Sequence, residues 1–177
     1  EKVPEIAVLA RDRKDEPYLN LALAAGARYL VSRYGEDRAS MLAGSSIAQD
    51  GRTLHLGIDI FCRDLETVYA PCDGEIIAAG QEPQGHSFGY YVVFKPTDHD
   101  HYLFFGHLSA APKSMGAVKA GARIGQLGDF ADGENGGWSR HLHIQLFRDP
   151  PLAHAELIGY STARNFAENS IKYPNPM

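Results

Sequence analysis

The stretch "RHLHIQLF", Arg140–Phe147, decides the reading of this chain. Leu142, Ile144 and Leu146 alternate with His141, His143, Gln145 and Phe147, and period-two alternation places the two sets on opposite faces of a β-strand. Two imidazoles then project from one face, their Cβ atoms about 7 Å apart at ~3.3 Å rise per residue. At that spacing they can lean toward a common point. A metal is the obvious candidate, but two ligands do not make a site, and paired histidines on a half-exposed strand would look the same.

The strand sits in a strand-rich stretch. From Arg52 onward, "TLHLGIDIF", "TVYAP", "GEIIAAG", "GYYVVFK", "HYLFFGHL" and "ARIGQLG" precede "HLHIQLF" at close spacing, separated by Gly, Pro and Asp. "PCDG" and "PTDHD" carry turn chemistry, and links this short favour antiparallel sheets over βαβ units. Upstream, the Ala- and Leu-rich "PYLNLALAAGARYLVSRY" (Pro17–Tyr34) predicts a helix. "GEDRAS" and "AGSSIAQDG" read as connecting loop. Downstream, the Pro-bounded tail suggests a short helix near Ser161–Asn169.

Bulk properties narrow the function classes. With 177 residues, 44% hydrophobic and 22% charged, the chain can build one substantial core. A net charge of −5 without a basic stripe argues against nucleic acid as a partner. No apolar run approaches the ~20 residues of a membrane span. Cys62 and Cys72 form no C-x-x-C pair and read as two thiols.

Further metal-ligand types lie in two other stretches. His55 and Asp59 in "TLHLGIDIF" would stand about 13 Å apart in a straight strand. They can share an ion only if the chain bends near Gly57, so the segment is predicted to be no regular strand there. His107 follows the apolar "YLFFG" and by itself reads as a histidine at a strand end. "DHDH" (Asp98–His101) reads as a polar hairpin turn, and His86 and His154 as bystanders.

Taken together, His-x-x-x-Asp, a strand ending in Gly-His-Leu, and His-Leu-His resemble the lysostaphin-type zinc metallopeptidases, many of them peptidoglycan endopeptidases. The likeness includes "TVYAPCDGEIIAAG", similar to that family's Val-x-Ala-Pro-x-x-Gly hairpin, then "GYYVVF" and "VKAGARIGQLGDF". It runs roughly from Arg52 to Phe147. It implies a mainly β protein, an antiparallel core of the lysostaphin-type (duplicated hybrid motif-like) fold, here with the N-terminal helix. The implied organisation is an N-terminal helical cap and loop over 1–51, the metallopeptidase-like core over 52–150 and a C-terminal extension over 151–177.

The resemblance implies a Zn²⁺ cofactor held by His55, Asp59 and His143, with His141 and His107 as catalytic histidines. It also implies hydrolysis of an amide or peptide bond by metal-activated water. No His-Glu-x-x-His base is present, so proton transfer falls to the histidines, with His141 expected as base on the water and His107 as the group that orients or stabilises developing charge. The chain departs from the family at Phe105, where a tyrosine is frequent; Phe105 is expected to pack.

"ENGGWSRHLH" (Glu134–His143) and "SIKYPNPM" look similar to metallopeptidase-like domains of bacterial fusion proteins that also carry a kinase and a class III aminotransferase. That likeness implies part of a larger multidomain protein, a cytoplasmic setting and a small amino-acid-derived substrate of a biosynthetic pathway, in hydrolysis or another zinc-dependent reaction, in place of a peptide polymer. Trp138 would then line the groove or pack its loop. A non-catalytic binding module on the same fold would be expected to lose ligands, and here every position is filled.

Overall fold

The computed structural model describes residues 25–82, 87–129, 134–151 and 157–177. Eleven strands and two helices are found among them: β1 (Tyr29–Val31), α1 (Ser46–Gln49), β2 (Arg52–His55), β3 (Ile58–Cys62), β4 (Thr67–Tyr69), β5 (Gly74–Gln81), β6 (Tyr90–Pro96), β7 (Tyr102–Leu108), β8 (Gly116–Val118), β9 (Arg123–Gln126), β10 (His141–Phe147), β11 (Tyr160–Thr162) and α2 (Phe166–Lys172). The main sheet has seven strands in the order β1-β3-β10-β7-β6-β5-β8, and β11-β2 and β4-β9 form two small sheets. Every pairing is antiparallel, as the short links predict.

The alternation of β6, β7 and β10 splits the apolar residues between two layers. One layer gathers Val92, Phe94, Phe105, Leu108 and the partly buried Leu142 and Ile144 under Val68, Ile124 and Leu127. Val93, Phe104 and Phe147 face the other way and are covered by Leu56, Phe88, Leu157 and Tyr173. Phe105 therefore packs, as expected, in the layer away from the histidines. The face carrying His141, His143, Gln145 and Phe147 is the more buried face of β10.

Two expectations are corrected. The helix predicted over 17–34 does not run through its second half: Gly26 adopts φ +66° and Tyr29–Val31 pairs with β3. Edge pairing with β3 outweighs the helix propensity of the Ala/Leu run; residues 17–24 lie outside the described residues. In the tail, the short helix expected near Ser161–Asn169 is present but starts later, as α2; ahead of it Tyr160–Thr162 is a strand, because Tyr160 and Ser161 pair with His55 and Leu54. Both cysteines are free thiols.

Candidate metal centre

The predicted break at Gly57 is present: β2 ends at His55 and β3 begins at Ile58. A Cβ at residue 57 would lie 2.5 Å from His143 Cε1 and 2.7 Å from the Ile144 carbonyl oxygen, so glycine lets the His143 ring close against the bend. On the other side, the β10 register sets His143 opposite Asp59 of β3 and Gly106 of β7. Bend and register together bring His55, Asp59 and His143 to one point.

Their donor atoms converge tightly. His143 Nδ1 lies 2.9 Å from Asp59 Oδ1 and 3.1 Å from His55 Nε2, and His55 Nε2 is 3.4 Å from Asp59 Oδ1. Zinc–ligand bonds of about 2.0–2.1 Å in a tetrahedron separate the ligand atoms by about 3.3 Å, so the donor set fits zinc. All three residues are buried, at 1–2% exposure. Among the described residues they are the one group of three or more His, Cys, Asp or Glu side chains able to share an ion.

Protonation states follow from the neighbours. The Gln145 amide nitrogen donates to the Ile158 carbonyl at 3.0 Å, which turns Gln145 Oε1 toward His143 Nε2, also 3.0 Å away. His143 Nε2–H donates to that oxygen, so in the neutral ring the lone pair sits on Nδ1, toward Asp59. Burial alone would raise the Asp59 carboxyl, but His55, His141, His143 and Arg38 around it hold it well below the usual carboxylate range. A carboxylate and an imidazole lone pair at 2.9 Å leave the place of a cation between them. Burial also pushes the His55 imidazole well below its ordinary value, keeping it neutral, the form that ligates. His55 Nδ1 is buried with no hydrogen-bond partner among the described residues, so packing orients that ring, including Tyr160 at 5.4 Å between centroids.

Replacing Gln145 with leucine keeps the volume and removes the acceptor. Zinc affinity, read by competition with a chromophoric chelator, is expected to fall about 10–100-fold, the usual cost of losing an outer partner of a ligating histidine. Unchanged affinity would show that Gln145 does not orient His143.

The other two histidines stand beside the donors. His141 Nε2 is 3.7 Å from Asp59 Oδ1, and the His107 and His141 ring centroids are 4.2 Å apart. Strict alternation would turn His107 toward the opposite core layer. A bulge prevents that: β7 pairs Leu108 with Tyr90 but Phe105 with Val92, so two residues of β7 face one of β6. His107 is the one non-glycine residue with positive φ among the described residues, at +64°, and this left-handed backbone brings its ring beside His141.

His107 Nδ1–H donates to the Asn135 carbonyl and His141 Nδ1–H to the Ser139 carbonyl, each at 2.7 Å. Carbonyls only accept, so both neutral rings keep their lone pair on Nε2. Burial pushes both imidazoles below the ordinary histidine value, and His141 and His143 push His107 further. Phe61 stacks on the outer side of His141, with centroids 4.9 Å apart. Asn135, fully buried, ties the loop before β10 to Gly128 and Trp138, and the Trp138 indole donates to the Ser87 carbonyl at 3.0 Å.

All five residues singled out in the sequence thus meet at one site. Trp138 packs its loop with its ring 6.3 Å from His107. Asp98 lies in the turn between β6 and β7, as the hairpin reading of "DHDH" expects, while His86 and His154 lie outside the described residues. Sequence reasoning missed Gln145, Asn135, Tyr160 and Arg38, whose guanidinium contacts Asp59 Oδ2 at 2.5 Å. For Gln145 a signal existed: it shares the face of the histidine pair.

Comparison with known proteins agrees with this geometry. Residues 53–153 match the model of Peptidase family M23. The fold is similar to the catalytic domain of the antimicrobial peptidase lysostaphin from Staphylococcus simulans, at 24% identity and TM-score 0.54 over 79% of this chain and 92% of that one. It is also similar to the catalytic domain of the prophage-encoded M23 protein EnpA from Enterococcus faecalis, at 23% identity and TM-score 0.52 over 77% and 90%. A zinc-containing peptidase from Vibrio cholerae aligns at 23% identity and TM-score 0.50 over 68% of this chain and 33% of that one. No curated protein matches the chain. At these identities the solved structures show a shared fold, whereas the family match spans more than half of the chain, which belongs to Peptidase family M23 and is a zinc metallopeptidase of the lysostaphin type.

Proposed function

We propose that His55, Asp59 and His143 hold the zinc ion of this peptidase and that His141 and His107 move the protons of peptide-bond hydrolysis. The observation that carries this reading is the convergence of three donor atoms within 3.4 Å beside two histidines whose Nε2 atoms are free to accept. Zinc bound there supplies Lewis acidity, activating a water and polarising the scissile carbonyl. His141, nearest to the donor set, takes the water's proton at Nε2, and its Nδ1–H bond to Ser139 holds the ring in the accepting tautomer. His107 presents a second lone pair beside it and becomes a donor to developing negative charge once it carries a proton.

For substrate, the reading is a peptide cleaved internally. The net charge of −5 favours a second reading, a small amino-acid-derived amide in a cytoplasmic setting, because an acidic protein is repelled by an anionic wall polymer. Mass-spectrometric assay of the zinc-loaded protein on oligoglycine, crosslinked stem peptides and small amino-acid amides separates the two. Cleavage of the peptides is expected. Cleavage of the small amides alone would replace the first reading with the second, and no cleavage of any would overturn both.

A further inference from the structure

We infer that Arg38 is a positioning residue of the metal centre, holding Asp59 to one-oxygen coordination. The inference rests on the reading of His55, Asp59 and His143 as the zinc ligands. Arg38 lies outside the family-matched residues 53–153, and the fold delivers it from a separate strip of chain. The strip pairs along β2: Gly35 N–H donates to the His55 carbonyl at 2.8 Å, His55 N–H to the Glu36 carbonyl at 3.0 Å and Arg38 N–H to the Thr53 carbonyl at 2.9 Å. On the other edge of β2, β11 sets Tyr160 opposite His55. β2 is thus flanked by two segments foreign to the matched core, and both direct a polar group toward the site.

The two oxygens of Asp59 are divided between different partners. Oδ1 faces His143 Nδ1, His55 Nε2 and His141 Nε2, whereas Oδ2 accepts from Arg38 Nη1. The guanidinium is itself held. Its Nε and Nη2 donate to Glu36 Oε2 at 3.3 and 3.2 Å, and Nη1 lies 3.5 Å from the Tyr160 hydroxyl. Arg38 is 6% exposed and Asp59 1%, so water does not screen the pair. An Asp59 carboxylate without Arg38 has both oxygens free to swing onto the metal, which adds a ligand and closes a position that substrate needs. The guanidinium also places a positive charge behind the ligand, which weakens the centre's hold on a dication.

Positioning and plain structural support predict opposite results. In R38M, expected zinc affinity by chelator competition rises about tenfold as the charge is lost and the second oxygen is recruited. The visible absorption of the Co²⁺-substituted protein is expected to drop from the strong bands of a four-coordinate ion toward the weak bands of higher coordination. The turnover number falls despite the tighter metal. R38K, which keeps a charged donor for Oδ2, is expected to restore the absorption and bring affinity within about threefold of the original. R38Q, polar and neutral, is measured alongside, so that the comparison survives if R38M does not fold; its expected shifts have the same direction. Weaker zinc binding with an unchanged Co²⁺ spectrum in the neutral variants, or affinity and spectrum both unchanged, would overturn the inference. Failure of the underlying reading shows separately: the unsubstituted protein would then bind zinc no better than H143A does.

Discussion

Replacing His143 with alanine is expected to strip the protein of zinc and of activity together. The ring supplies one of three donors that lie within 3.4 Å of one another, and neither of the remaining two can move to fill its place. Zinc binding to a four-ligand protein site is worth roughly 10–16 kcal/mol, so one ligand carries about 2.5–4 kcal/mol. That corresponds to a loss of affinity of about 10²–10³-fold. Chelator competition measures it directly, and circular dichroism checks that the fold survives the cavity left against Phe88 and Phe104, which pack on the ring. Activity should return in part when free zinc is raised. H143A that held zinc as the unsubstituted protein does would show that this ring is not a ligand.

Its neighbour two residues away is expected to behave in the opposite manner. H141A should keep its zinc, because all three donor atoms and the Gln145 bond that orients His143 stay in place. Turnover should fall by about 10²–10⁴-fold, the usual contribution of a positioned proton acceptor. His107 cannot substitute fully. Its ring is fixed by the Asn135 carbonyl and by a strained backbone at φ +64°, and it lies on the far side of His141 from Phe61. H141A with unchanged turnover would remove His141 from the chemistry.

These opposite fates of adjacent strand positions were legible in eight residues, since alternation alone puts His141 and His143 on one face. The bend at Gly57 was legible too, because no straight strand lets His55 and Asp59 share an ion. What escaped sequence reasoning depends on long-range pairing. His107 was singled out through the Gly-His-Leu motif, but not the way it reaches the site: by alternation it belongs to the other core layer, and only a bulge, seen as a register shift against β6, turns it inward. Arg38 sits in "GEDRAS", a stretch that reads as loop; its pairing along β2 depends on long-range backbone bonds with no sequence period. Tyr160 stands just before the expected helix, in a tail whose short apolar run has no strand pattern until it meets the edge of β2. The N-terminal prediction failed similarly at Tyr29–Val31, where the open edge of β3 outweighed propensity. In each case the deciding partner is distant in sequence, and local patterns carry no record of it.

The most direct test of the account is zinc stoichiometry and affinity measured side by side on the unsubstituted protein, H143A and H141A. One zinc per chain is expected in the unsubstituted protein and in H141A, with affinity lost in H143A. Equal zinc in H143A, or zinc lost from H141A and retained in H143A, would contradict the division of the histidine pair into one ligand and one proton acceptor.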